Sequence, residues 1–110
     1  MPRVNREEPL YLIGVAARLC EVHPQTLRMY ERLGLVRPAR VGSKNRMYSD
    51  ADIERLHQIQ RLTQDMGINL AGVEVILDLL DKIQRMQEHM DTEIARMQEI
   101  MEEELRRMAK

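Results

Sequence analysis

From residue 73 to residue 110 the chain contains neither glycine nor proline, so nothing in that run interrupts a helix. Apolar side chains recur within it every eleven residues. Leu79, Met90 and Met101 form one series, Ile83, Ile94 and Leu105 a second, and Val75, Met86, Met97 and Met108 a third. An eleven-residue repeat corresponds to 3.67 residues per turn, close to the natural helix period. It predicts a nearly straight or slightly right-handed apolar seam rather than a strict heptad coil. A helix with one such stripe cannot bury it alone. The stripe can pack on its own domain or on a second copy. A final helix of about 28 residues is ~40 Å long and outreaches a domain of roughly 70 residues, which favours the second copy. Leu79, Ile83, Met86, Met90, Ile94, Met97, Met101, Leu105 and Met108 are the expected dimerisation surface. Antiparallel pairing fits, because the charges along the stripe do not dictate an orientation. No breaker lies between residues 80 and 82, so the sequence leaves open whether this helix is separate from the one before it.

Upstream, the pattern is one of short elements. Residues 1–10 lack periodicity, hold two prolines and read as a flexible arm. Leu12, Val15, Ala16 and Leu19 have helical spacing and predict a short helix over 14–20, with Leu19 in the core. A tight turn at residues 21–23 follows, since Pro24 disfavours helix at the residue before it. Pro24 suits the first position of a second helix, which would bury Leu27 and Tyr30 and end at Gly34 as a left-handed cap. Two short helices joined by such a turn are the helix-turn-helix pattern. Residues 36–48 contain Pro38, Gly42, Ser43 and Asn45 and predict a two-stranded hairpin, with strands at 36–37 and 46–48 and Leu35 in the core. Ser49 caps a third helix with Asp50 and Asp52 in its first turn. Ile53, Leu56, Ile59, Leu62 and Met66 form its expected buried face, and Gly67 ends it. Asn69 starts a fourth helix, marked by Leu70, Val73, Ile76, Leu77 and Leu80.

Composition narrows the function. At 110 residues one compact domain with an extension is expected. Trp and Phe are absent and there are nine Met, which favours small helices with adaptable seams over a β-sandwich. No apolar run approaches the ~20 residues that span a bilayer, and the polar start does not resemble a leader peptide. Cys20 is alone, so no intrachain disulfide forms, and a reducing, cytoplasmic setting is expected. The net charge of −1 hides an asymmetry: residues 1–50 carry nine Lys and Arg against five acids, residues 51–110 eight against thirteen. A basic front on an acidic remainder fits a reader of nucleic acid. His23, His57 and His89 lie on separate segments, with no nucleophile triad, zinc or phosphate-loop spacing, so an enzyme is not expected.

Together these residues resemble the MerR family of transcription regulators over about residues 12–80. The resemblance is carried by residues 13–19, by Thr26-Leu27-Arg28-Met29-Tyr30-Glu31, by Gly34-Leu35-Val36, by Arg46-Met47-Tyr48-Ser49, and by Asp52-Ile53 with Leu56. Within the family, HPQTLRMYERLGLVRPAR and RLTQDMGINLAGVEVIL are similar to the heat-shock repressors called HspR. The resemblance implies a mainly α fold: a winged helix-turn-helix domain over 11–80 with a small β-hairpin wing, then an antiparallel coiled-coil dimerisation helix over 81–110. It implies a homodimeric repressor of chaperone operons on an inverted-repeat double-stranded DNA operator, with the chaperone DnaK as co-repressor and no cofactor. Two departures stand out. Met29 occupies a position where many relatives have Tyr, and many relatives carry a separate C-terminal effector domain where this chain stops at the helix. A regulator answering nitrogen status or a small molecule, and a helical interaction module, are the alternatives.

The DNA chemistry follows from placement. The N-terminus of a recognition helix faces base edges in the major groove. Gln25 can pair bidentately with adenine, and Thr26 can bond a base or touch a thymine methyl, unless its hydroxyl serves the first helical turn. His23 contacts a base or caps the helix. Arg28 and Tyr30 follow the family pattern of phosphate contacts, Tyr30 with its ring packed and its hydroxyl outward. Arg18 meets the backbone or stays solvated. Arg37, Arg40, Lys44 and Arg46 have no acid among them in the hairpin and are expected on phosphate or in the minor groove. Tyr48 is expected to pack the wing onto the domain.

Overall fold

The computed structural model describes residues 5–42 and 45–109. Their elements run β1 (Tyr11–Leu12), α1 (Ile13–Leu19), α2 (Pro24–Arg32), β2 (Ala39–Val41), β3 (Asn45–Tyr48), α3 (Asp50–Gln60), a π-turn (Arg61–Asp65) and α4 (Leu70–Met108). The chain forms two compact units, Met1–Glu74 and Val75–Lys110, and α4 begins in the first and makes up the second.

In the first unit each short helix is closed by the same backbone device. After α1, Glu21 N–H donates to Arg18 O and Val22 N–H to Ala17 O. After α2, Gly34 N–H donates to Glu31 O and Leu35 N–H to Tyr30 O. Both are Schellman closures, which need a left-handed residue. Gly34 supplies it with φ 76, as expected. In the helix-turn-helix turn the residue is Glu21, at φ 56, where a side chain is unfavourable. Ser49 opens α3 with a full capping box: its hydroxyl accepts from Asp52 N–H at 3.1 Å, and the Asp52 carboxylate accepts from Ser49 N–H at 2.9 Å. Asn69 caps α4 by accepting from Gly72 N–H at 2.8 Å.

The sheet has three strands, not two, in the order β1-β3-β2, all antiparallel. Tyr11 lies opposite Tyr48, and Arg40 opposite Arg46. The first wing strand is Ala39–Val41 rather than 36–37: Pro38 lacks the N–H a ladder needs, and Val36 is buried in the core instead. Residues 5–10 are not loose. Arg6 O accepts from Ala51 N–H at 3.0 Å, Leu10 N–H donates to Tyr48 O at 3.1 Å, and the Arg6 side chain pairs with Glu54. The Tyr11 hydroxyl adds a 2.7 Å bond to Asp50. Residues 1–4 lie outside the described residues.

The core joins Ala16, Ala17, Cys20, Leu27, Tyr30, Leu35, Val36, Tyr48, Leu56, Ile59 and Val73. Leu19, expected inside, is exposed, as are Leu12 and Val15. The face of α1 that turns inward is the small one, Ala16-Ala17-Cys20, which lets α1 lie close to its neighbours. Leu56 and Ile59 are buried in α3 as expected, but Met66 is exposed. The π-turn explains this. Thr63 Oγ1 donates back to Ile59 O at 2.9 Å, Met66 N–H reaches back to Arg61 O and Ile68 N–H to Leu62 O, so the turn is widened and the i+7 stripe loses phase. Gly67, at φ 65, ends this segment. Leu80 is exposed. The question of separate fourth and fifth helices resolves as one 39-residue helix.

Tyr48 is fully buried, and its hydroxyl has no hydrogen-bond partner among the described residues. Burial, reinforced by the charges of Glu31 and Asp52 and opposed by Arg46 and Arg28, pushes it from 10.0 up to about 12. Between those values the native state keeps a proton that the unfolded chain releases. The contribution of Tyr48 is therefore whole below pH 10.0 and lost as pH rises toward 12. Tyr48→Phe should abolish that alkaline loss relative to the parent chain. Near neutrality it should leave stability unchanged or raise it by about 1 kcal/mol, because it deletes an unpaired buried group. Urea melts at matched protein concentration from pH 7 to 11.5 read both effects. The same melts test the two Schellman positions. Glu21→Gly should stabilise by ~0.5–1 kcal/mol, the relief of a left-handed side chain less the entropy of glycine. Gly34→Ala should destabilise by about 1 kcal/mol, through backbone strain alone, since an added Cβ meets nothing within 4 Å. Shifts of the opposite sign would reject this reading of the closures.

Candidate nucleic-acid interface

Helix α2 carries the candidate base-reading edge. His23 is its N-cap, with Pro24 in the first position. The His23 imidazole accepts from Gln25 N–H through Nδ1 at 3.0 Å. A neutral ring that accepts at Nδ1 carries its proton on Nε2, so the cap itself leaves a donor directed away from the helix backbone. The Gln25 side chain is exposed and Thr26 is half-buried one residue later. Thr26 N–H donates to His23 O at 2.9 Å. The Tyr30 ring is packed in the core, and burial pushes its hydroxyl up in pKa. Arg28 is half-buried on the same helix, close enough to Tyr48 for its charge to act on that hydroxyl.

Arg18 lies exposed in the last turn of α1, and Arg37 is exposed ahead of β2. Arg18, Arg28 and Arg37 have no ion-pair partner among the described residues, so each guanidinium is available to a phosphate. Lys44 lies outside the described residues.

Arg40 and Arg46 differ from these. They stand directly opposite each other on β2 and β3, a like-charge pair that alone would weaken the hairpin. The hairpin contains no acid, but α2 supplies one. Glu31 pairs with Arg46 Nε, and Arg40 reaches its other oxygen at 3.6 Å. The contacting Glu31 Oε2 and Arg46 Nε atoms are shut off from water. The hairpin itself holds no acid, as read from the sequence, but Arg40 and Arg46 face one from α2. Spacing along the sequence shows charges on one segment only, and this carboxylate comes from another. Arg55 was overlooked for the same reason: its Nε donates to Leu35 O at 2.8 Å and fixes the turn between α2 and the wing to α3.

In the second unit the eleven-residue stripe lies on one side of α4. Leu79, Ile83, Met86, Met90, Ile94, Met97, Met101, Leu105 and Met108 are all 49–78% exposed in the single chain. Among the described residues no helix is long and apolar enough to cross a membrane.

Residues 11–80 match the family described as MerR HTH family regulatory protein. The chain is 50% identical over 84 residues to a candidate heat shock protein HspR of Streptomyces coelicolor, a match covering 76% of this chain and 56% of that protein. It is 40% identical over 73 residues to the mercuric resistance operon regulatory protein of Bacillus cereus, covering 66% and 54% respectively. The chain thus spans little more than half the length of either relative. Among solved structures, it resembles the transcription regulator PbrR691 of Ralstonia metallidurans, determined with lead(II), with a TM-score of 0.63 and 27% identity over 86% of this chain and 76% of that one. It shares the fold of HiNmlR, a MerR family regulator lacking the sensor domain and bound to promoter DNA, with a TM-score of 0.58 and 21% identity over 84% and 78%. The family match extends over well more than half of the sequence and over every element from β1 into α4, and the chain belongs to the MerR family of helix-turn-helix transcriptional regulators.

Proposed function

We propose that this protein is a sequence-specific repressor of heat-shock and chaperone genes that binds an inverted-repeat operator as a homodimer, with DnaK as co-repressor. The observation that carries the DNA-reading part is the polar edge of α2, where the His23 donor, the exposed Gln25 side chain and Thr26 lie together at a helix N-terminus. Arg18, Arg28 and Arg37, without ion-pair partners among the described residues, supply guanidinium groups for phosphate, and the Tyr30 hydroxyl and Lys44 are proposed as further contacts. The exposed apolar stripe of α4 supports the dimer, because a contiguous face of this size in one chain asks for a partner. Two copies related by a two-fold axis read two inverted half-sites. The heat-shock assignment is supported by the 50% identity to the HspR relative. A thiolate metal or cluster sensor is disfavoured, since such sites use several cysteines and this chain has only Cys20, which is buried.

The deciding experiment is a footprint on the protein's own upstream region with and without DnaK. Protection strengthened by DnaK is the expected result. Protection that ignores DnaK would move the signal to temperature or another effector, and no protection at all would sink the repressor. Within that assay Arg28→Ala should weaken binding to every sequence and lower the salt slope. Gln25→Ala should cost ~1–3 kcal/mol, mainly at one base position. Ile94→Glu should give monomers by analytical ultracentrifugation and lose operator binding. A dimer that survives it would place the seam elsewhere.

A further inference from the structure

The ion pairs of Glu31 have a bearing on how the wing engages DNA. Three facts define their setting. Arg40 and Arg46 are cross-strand partners, so their charges are forced together by the register of the hairpin. The carboxylate that faces both belongs to α2, in the turn preceding its Gly34 closure, and not to the wing. The Glu31 side chain is only 20% exposed and the Arg46 side chain 31%, while Arg40, at 56%, keeps most of its surface open. The arrangement is graded: on one cross-strand rung the Arg46 guanidinium is held close to Glu31, and that of Arg40 is tethered more loosely and keeps more of its surface open.

We infer that Glu31 is a positioning residue for DNA recognition: through Arg46 and Arg40 it fixes the wing to the recognition helix, and it withholds one unit of wing charge from DNA that the helix does not match. This rests on the DNA-reading role proposed above. Phosphate contacts are blind to sequence, and each adds to non-specific binding. Two wing arginines free to swing would gain phosphate contacts on any duplex. With Glu31 in place, the trio carries a net charge of +1 rather than +2, and Arg46 cannot leave without depriving the water-inaccessible Glu31 Oε2 of its partner, with only the looser Arg40 contact remaining on the carboxylate. The wing then meets the backbone in one register relative to α2. Wing contacts and base contacts form together on a matching site and compete on a mismatched one.

Glu31→Gln keeps the volume and an amide oxygen for Arg46 while removing the charge. The full-length protein, its Glu31→Gln variant and a control Glu99→Gln variant would be titrated by fluorescence anisotropy across salt. The duplexes are the footprinted operator and an unrelated one of equal length. Glu99 is exposed on α4, so the control makes the same charge change away from the trio. For Glu31→Gln the unrelated duplex should bind more tightly. Its log–log salt slope should steepen by about 0.9, so that affinity falls a further ~3-fold between 50 and 200 mM salt. The ratio of operator to unrelated affinity should fall several-fold. Glu99→Gln should match the parent chain. An unchanged ratio in Glu31→Gln would overturn the inference. So would an equal change in Glu99→Gln, which would make the effect one of net charge alone. A parent chain with no preference between the duplexes would instead overturn the repressor reading. Thermal melts of all three proteins, showing that they are folded at the assay temperature, separate these outcomes from loss of structure.

Discussion

The first unit depends on one corner, where β3 ends at Tyr48 and α3 begins behind Ser49. Tyr48 is the largest fully buried side chain, and its carbonyl accepts from Leu10 N–H. The next residue caps α3 through a reciprocal pair of hydrogen bonds with Asp52. Two residues thus hold the N-terminal stretch, the sheet and the third helix to one another. The ring also lies in the fields of Arg28 and Glu31 from α2, of Arg46 from the wing and of Asp52 from α3. A hydroxyl left without a partner in that position is a local cost accepted inside an otherwise well-connected corner.

Much of this architecture was legible in the sequence where the signal is local. Pro24, Gly34, Ser49, Gly67 and Asn69 each act through their own backbone or cap, and each stands at an element boundary. The misread elements depend on partners distant in sequence. Tyr11 and Leu12 form a strand only because β3 offers an edge. Leu19 has core spacing, but the neighbours of α1 leave room for Ala16 and Ala17 instead. Met66 loses its place because the backbone bonds of the π-turn reach back five and six residues instead of four, which a fixed period cannot anticipate. In the candidate interface the residue types of α2 were legible. The pairing of Arg40 and Arg46 with Glu31 was not, since it combines a hairpin register with a helix azimuth.

Helices α2 and α4 are held in opposite ways. Helix α2 is short and closed at both ends by side-chain and backbone caps, and it presents polar groups on a rigid turn. Helix α4 is long and uniform, and its first turn is capped by Asn69. Its regularity comes from the absence of any breaker rather than from packing within one chain, since its stripe is open along its length. Short helices of this kind owe their stability to the tertiary core around them, whereas a 39-residue helix gains from cooperative propagation and from whatever covers its apolar face.

Five of the nine methionines, Met86, Met90, Met97, Met101 and Met108, lie on that stripe. A thioether gives an adaptable apolar surface, but it also takes up an oxygen atom from peroxide, and the sulfoxide is polar and chiral. The side chains that make α4 apolar are therefore also those through which oxidation would make it polar. The change is reversible only one epimer and one enzyme at a time. Leu79, Ile83, Ile94 and Leu105 interleave with the methionines and cannot be altered in this way. The surface thus has a permanent aliphatic component and a chemically erasable one, alternating along the same helix face.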